Sequence, residues 1–223
     1  MILAAGRGER MRPLTDTLPK PLLEVAGKPL IVWQIERLRA AGIHDIVINH
    51  AHLGHLIVTA LGDGSDLGVS IRYSPETTAL ETAGGIRQAL PLLGAAPFIV
   101  VNADIFCEMD LSIVCRAAEH LSEHGDLAHL VLVTNPPHHP DGDFALHNQR
   151  VGHHGSRLTF SGIGAYHPAL FASLESDRPA RLAPLLHQAI TTGRISGSAY
   201  PGRWVDVGTP ARLAELDRTI RDT

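Results

Sequence analysis

Two apolar periods alternate along this chain. Leu30, Ile31, Ile35, Leu38 and Ala41 fall on one stripe of a 3.6-residue repeat, which predicts a helix over residues 29–41 that Gly42 can end. Ile46-Val47-Ile48 and Leu130-Val131-Leu132-Val133 are continuous apolar runs of strand length, and residues 69–73 alternate apolar and polar. The same reading places helices over 53–61, 82–93, 111–121 (capped by Asp110), 168–174 and 182–191. A last helix starts at Pro210, a first-turn proline, and runs to 220. Strands are expected over 98–101, 158–166, 195–200 and 204–207. This β-α-β rhythm predicts an α/β fold: a Rossmann-like three-layer α/β/α sandwich on a mixed, mainly parallel sheet. Residues 136–158, rich in Pro, Gly, Asp and His, break the rhythm and predict a hairpin or flap inserted in a single domain spanning 1–223. No hexapeptide repeat follows, so no β-helix acyltransferase domain is expected.

Composition narrows the chemistry. Hydrophobic residues make up 44% of the chain and aromatics only 4%, so the core must be mostly Leu, Ile, Val and Ala. A net charge of −4 argues against a nucleic-acid partner. The two cysteines, Cys107 and Cys115, form no metal-binding spacing and point to a reducing compartment. No apolar run approaches the ~18 residues of a membrane span, so no membrane partner is expected and the reading is cytoplasmic. The 14 histidines include the pairs His138-His139 and His153-His154. Adjacent histidines rarely face the same way, and both pairs read as solvated loop.

The chain opens with Met1-Ile2-Leu3-Ala4-Ala5, then Gly6-Arg7-Gly8-Glu9-Arg10-Met11-Arg12-Pro13 and Pro19-Lys20-Pro21. A short strand runs into a glycine loop whose backbone can close on an anion. Arginine forks suit phosphate oxygens, and a lysine between two prolines has a stiff, aimed backbone. That combination predicts a polyphosphate site beyond the carboxyl end of a strand. The G-x-G-x-x-G and Walker A patterns both fail, because Arg10-Met11 stands where a third glycine is needed and no Gly-Lys-Ser/Thr occurs. Taken alone, the segment also fits, less well, a tight turn with solvated arginines. Asp104 follows the most apolar strand, and Asp206 stands between Val205 and Val207. Their separation in sequence leaves open whether they meet.

Leu3-Ala4-Ala5-Gly6-Arg7-Gly8-Glu9-Arg10-Met11-Arg12-Pro13 with Pro19-Lys20-Pro21-Leu22 resembles the signature of the sugar-1-phosphate nucleotidyltransferases. The resemblance continues through Val101-Asn102-Ala103-Asp104 and Trp204-Val205-Asp206-Val207-Gly208-Thr209. Asn49-His50-Ala51-His52-Leu53-Gly54, Ser74-Pro75-Glu76, Leu80-Glu81-Thr82-Ala83-Gly84-Gly85 and Gly142-Asp143-Phe144 are similar to the short bacterial uridylyltransferase branch that uses N-acetylmuramate α-1-phosphate in cell-wall recycling.

The resemblance implies the nucleotide-diphospho-sugar transferase fold, UTP and a sugar 1-phosphate as substrates, and Mg²⁺ held by Asp104 and Asp206. It implies that Arg10, Lys20, Asp104 and Asp206 serve catalysis. Leu3, Ala4 and Gly6 would bind the nucleotide, with Gly8, Glu9 and Arg10 cradling its triphosphate, Lys20 neutralising the phosphates at the reacting centre, Ser74, Glu76, Thr82 and Gly84 at the base, and Asn102 on the ribose side. Glu81, Asp143, Ser161 and Gly162 would line the sugar pocket. Arg157 and Arg203 are candidates, by charge alone, for a lactyl carboxylate. Rival readings are the same reaction on glucose or mannose 1-phosphate with UTP, dTTP or GTP, a cytidylyltransferase of a phosphocholine-like group, and a catalytically silent nucleotide-sugar sensor.

Overall fold

The computed structural model describes residues 1–222. Its elements run β1 (Ile2–Leu3), β2 (Glu24–Val25), β3 (Lys28–Pro29), α1 (Leu30–Ala40), β4 (Asp45–His50), α2 (Gly54–Leu61), β5 (Ser70–Pro75), α3 (Glu81–Leu93), β6 (Phe98–Asn102) and β7 (Ile105–Cys107). They continue α4 (Ser112–His124), β8 (Ala128–Val133), β9 (Phe144–His147), β10 (Arg150–Gly152), β11 (Arg157–Tyr166), α5 (Leu182–Thr191), β12 (Ile195–Tyr200), β13 (Trp204–Asp206) and α6 (Pro210–Arg221). The chain folds into two compact units, the first made of residues 1–79, 102–110 and 203 onward, the second of 80–101 and 111–202.

In the first unit β1 lies parallel to β4, with Ile2 opposite Ile48, and β4 lies parallel to β5. Helices connect these strands, as parallel pairing requires. Gly6 and the glycine loop end β1 after two residues. The loop is then wound into three short 3-10 turns, Glu9–Met11, Leu14–Asp16 and Lys20–Leu22. Fully buried Met11 anchors that loop in a cluster with Leu23, Val25, Leu30, Phe106, Val207 and Leu216. β2 and β3 form a tight hairpin whose central residues, Ala26 and Gly27, both have positive φ, the geometry that matches strand twist. β7 pairs antiparallel with β13.

In the second unit β8 is parallel to β12 but antiparallel to β11, and β11 is antiparallel to β6. The expected flap contains a hairpin: β9 and β10 pair around Asn148-Gln149 and join β11 and β12. The sheet is mixed, with antiparallel pairs in the majority in this unit. The reason is local, because β11 follows a hairpin rather than a helical crossover and enters reversed. Phe98, Tyr166 and Phe171 pack together with ring centroids 5.9–6.4 Å apart.

Two expected details differ. α4 starts one residue later than expected: its N-cap position is Leu111, one residue past Asp110, and the carbonyl of Leu111 accepts from Val114 and Cys115 N–H. Residues 168–174 hold only a 3-10 turn, Pro168–Phe171, because the exposed polar run that begins at Glu175 leaves too little chain for an α-helix. Among the described residues, no helix is long and apolar enough to cross a membrane.

Candidate active site

The first unit builds its site from the backbone outward. Leu3 C=O accepts from Ala103 N–H at 3.0 Å, so the end of β1 lies against the residue before Asp104. Ala4 N–H donates to Asn49 Oδ1 at 2.9 Å, and Asn49 Nδ2 donates to Glu76 Oε1 at 2.7 Å. Both side chains are buried, so this relay fixes the glycine loop against β4 and β5. It commits Glu76 to Asn49 rather than to solvent. Ser74, also buried, stands opposite Asn49 in the ladder. Asn49, which sequence reasoning left without a role, is the residue that braces the loop here. The available signal was an asparagine at the polar end of the apolar run Ile46–Ile48.

Within the loop, Gly8 has φ +69° and its carbonyl accepts from Thr15 Oγ1 at 2.8 Å and Met11 N–H at 2.9 Å. A side chain there would meet Thr15 and Lys20 at 3.1 and 3.2 Å, so glycine is required twice over. Nothing crowds Gly6. Arg7, Glu9 and Arg10 are exposed around this open turn.

Lys20 and the two aspartates come together. Lys20 is 7% exposed, and its Nζ donates to Asp104 Oδ2 at 2.6 Å. β13 lays Asp206 opposite Ile105, and Val207 N–H donates to Asp104 C=O at 3.0 Å. The carboxylates that sequence spacing left apart therefore sit on neighbouring backbone positions. Asp206 Oδ2 accepts from Arg212 Nη1 at 2.7 Å. A Cβ on Gly208 would lie 2.6 Å from Arg212 Nη2, 3.0 Å from Asp206 Oδ1 and 3.1 Å from Arg10 Nη2. Glycine thus keeps open a cradle walled by two guanidiniums and one carboxylate. Arg203 pairs with Glu108 at 3.2 Å.

Among the described residues, no three His, Cys, Asp or Glu side chains are grouped to hold a metal alone. Two carboxylates beside phosphate-seeking cations are the donor set Mg²⁺ accepts, since it completes its octahedron with phosphate oxygens and waters.

The second unit carries the remaining candidates. The N–H groups of Ala83 and Gly84 both donate to Ala180 C=O, at 2.9 and 3.1 Å. A Cβ on Gly84 would lie 2.5 Å from Arg178 C=O, so the need for glycine there is one of backbone packing. Thr82 lies inside α3. Glu81, exposed at the start of α3, has φ +60° and lies 3.7 Å from Arg181, a left-handed conformation that costs a non-glycine residue about 1–3 kcal/mol. Asp143 is a clamp: Oδ2 accepts from Phe160 N–H at 2.7 Å and Oδ1 meets His139 Nε2 at 3.1 Å. Ser161 is buried, with Oγ accepting from Ile163 N–H, and Gly162 (φ +78°) lies where the β11–β8 register shifts. Both histidine pairs lie in loop, as expected, with His138 and His154 exposed; His139 meets Asp143, and His153 stacks on His187 with centroids 5.1 Å apart. Asn102, half-buried, ends β6 in the first unit.

Residues 1–144 match the family model described as nucleotidyl transferase, and the chain belongs to that family. It is 56% identical over 220 residues to the N-acetylmuramate alpha-1-phosphate uridylyltransferase of Neisseria meningitidis serogroup B, covering 96% of this chain and 95% of that protein. A Caulobacter vibrioides protein of the same name is 36% identical over 234 residues, covering 96% of each. Among solved structures, HddC from Yersinia pseudotuberculosis complexed with GMP-PN superposes with a TM-score of 0.80 at 21% identity, over 98% of this chain and 97% of that one, which establishes the shared Rossmann-like α/β fold.

Proposed function

We propose that this protein transfers UMP from UTP to N-acetylmuramate α-1-phosphate, releasing pyrophosphate and forming UDP-N-acetylmuramate in the bacterial cytoplasm. The observation that carries the reading is the convergence of Lys20, Asp104, Asp206 and Arg10 behind an exposed glycine loop. The 56% identity to a uridylyltransferase supports the substrate pair.

The sugar phosphate is already an anionic nucleophile, so the reaction needs alignment and charge neutralisation rather than a protein base. The glycine loop binds the triphosphate through backbone N–H groups. Arg10 neutralises the β- and γ-phosphates as they separate. Lys20, between two prolines, offers its ammonium to the phosphates at the reacting centre. Asp104 and Asp206 would hold Mg²⁺. When bound, Mg²⁺ neutralises charge on the reacting phosphates. Glu81, Asp143, Ser161 and Gly162 are assigned to the sugar, and Ser74, Glu76, Thr82, Gly84 and Asn102 to the nucleoside.

Pyrophosphate release tests this directly. Purified enzyme with Mg²⁺ and UTP is given N-acetylmuramate, N-acetylglucosamine, glucose or mannose 1-phosphate, with dTTP and GTP as alternative donors. N-acetylmuramate α-1-phosphate with UTP should give the highest kcat/KM, by about 10-fold or more, the size of one well-placed contact to the lactyl carboxylate. Equal turnover of glucose 1-phosphate removes the substrate assignment and leaves the family intact. Absence of pyrophosphate release with every pair removes the enzyme reading.

A further inference from the structure

Arg212 stands outside the motif that points to the site, yet it is bound to it. It is the third residue of α6, in the first turn, where the backbone dipole disfavours a cation. Nothing in helix formation asks for arginine there. Its fork instead spans two acceptors: Nη1 donates to Asp206 Oδ2 at 2.7 Å and Nε to Thr209 Oγ1 at 3.3 Å. Thr209 is the N-cap of the same helix. The side chain is 19% exposed and the Asp206 side chain 22%, so the pair is largely removed from water. Nη2 and Asp206 Oδ1 both border the open cradle at Gly208, opposite Arg10.

The geometry points to Arg212 as a positioning residue. It grips Asp206 through Oδ2, braces itself on the α6 cap, and so fixes the orientation in which Asp206 serves as a metal ligand. Lysine could not replace it, because an ammonium reaches one acceptor while the planar fork reaches both. The inference rests on Asp206 being a ligand, as proposed above. Partners that orient a metal ligand commonly set affinity by about 10–100-fold.

The test is Mn²⁺ binding, followed by electron paramagnetic resonance, to the full-length protein saturated with α,β-methylene-UTP. Arg212→Met should weaken Mn²⁺ by about 10–100-fold, and Arg212→Lys by less. Adding Arg212→Met to Asp206→Ala should weaken it no further than Asp206→Ala alone, because the residue acts only through that carboxylate. In turnover, Arg212→Met should lower kcat and recover part of it at raised Mg²⁺. Should Arg212→Met fail to fold, Arg212→Gln carries the same expectations. Wild-type Mn²⁺ affinity in a folded Arg212→Met protein, with affinity lost in Asp206→Ala, overturns the inference and leaves the ligand assignment standing. An additive loss in the double variant also overturns it. Wild-type Mn²⁺ affinity in Asp206→Ala removes the ligand assignment, and the inference with it.

Discussion

Lys20→Met removes one ammonium and keeps the hydrocarbon stem that packs under Gly8, where Lys20 Cβ lies 3.2 Å from the position of a side chain on that glycine. Lys20 is 7% exposed, and its partner Asp104 has a side chain 37% exposed. Opposite charges 4 Å apart attract by about 4 kcal/mol at an effective dielectric near 20, but most of that is offset by dehydrating the ammonium. Asp104 can rehydrate when its partner is removed, so the net loss of fold stability should be about 1–2 kcal/mol. That lowers Tm by about 2–8 °C for a domain of this size. The catalytic loss should be larger, about 10²–10³ in kcat, because a fixed charge at the reacting phosphates acts where the charge develops. With its ammonium gone, Asp104 should also bind Mn²⁺ more tightly in the absence of nucleotide. Melting curves, steady-state pyrophosphate release and Mn²⁺ titration of the nucleotide-free protein read the three effects separately. A variant that keeps kcat and raises only KM refutes the argument, because Lys20 would then anchor ground-state phosphate alone.

Gly84→Ala should destabilise the fold by about 1–3 kcal/mol, since the new methyl meets backbone at Arg178 rather than a side chain that can turn away; urea unfolding reads this, and an unchanged midpoint contradicts the packing account. His129 lies between the hydroxyls of Ser196 and Ser198, and burial holds its imidazole below the ordinary 6.5, an effect that nearby Asp126 partly opposes. The unfolded chain therefore takes a proton that the folded one refuses, so stability is fully present above pH 6.5 and falls as pH drops below it. His129→Gln should show a flatter loss than the native protein over that interval in pH-dependent unfolding, and parallel curves count against the assignment. Asp104→Ala should cost several orders of magnitude in turnover and, because it strands the buried Lys20 ammonium, lower Tm by more than Lys20→Met does; near-normal Mg²⁺-dependent rates exclude it as a ligand.

The elements were largely legible in the sequence because each carries its own period. The stripe Leu30-Ile31-Ile35-Leu38 became α1, and the run Leu130–Val133 became the centre of β8. Strand direction was not legible. Residues 136–158 announce a hairpin or flap before β11 but not which strands β11 joins, and its antiparallel pairing with β6 and β8 is set only in the folded sheet. Candidate residues of the phosphate site stood out because Gly8, Arg10, Lys20 and Asp104 are chemically unusual in their settings. Asn49 was hidden because its partners, Ala4 and Glu76, are met only through strand pairing, and Arg212 because it lies just beyond the motif that ends at Thr209, six residues from Asp206. Gly84 and Asp143 drew notice for the ligand chemistry their family implies, while the contacts they make here are to protein: backbone for Gly84, the Phe160 N–H and the His139 side chain for Asp143.

The pairing of β7 with β13 carries a consequence for synthesis. Ile105 stands opposite Asp206, so the strand after Asp104 finds its partner only once about a hundred further residues have been made. Loop closure over such a separation comes late and slowly relative to local helices. Met11, Val25 and Leu30 likewise wait for Val207 and Leu216 to complete their cluster. A nascent chain halted short of Trp204 therefore holds the glycine loop, Lys20 and Asp104 in place along the sequence but lacks the strand and helix that close the first unit around them. Ribosome-bound chains of stepped length should stay sensitive to protease near Ile105–Cys107 until β13 and α6 have emerged from the exit tunnel.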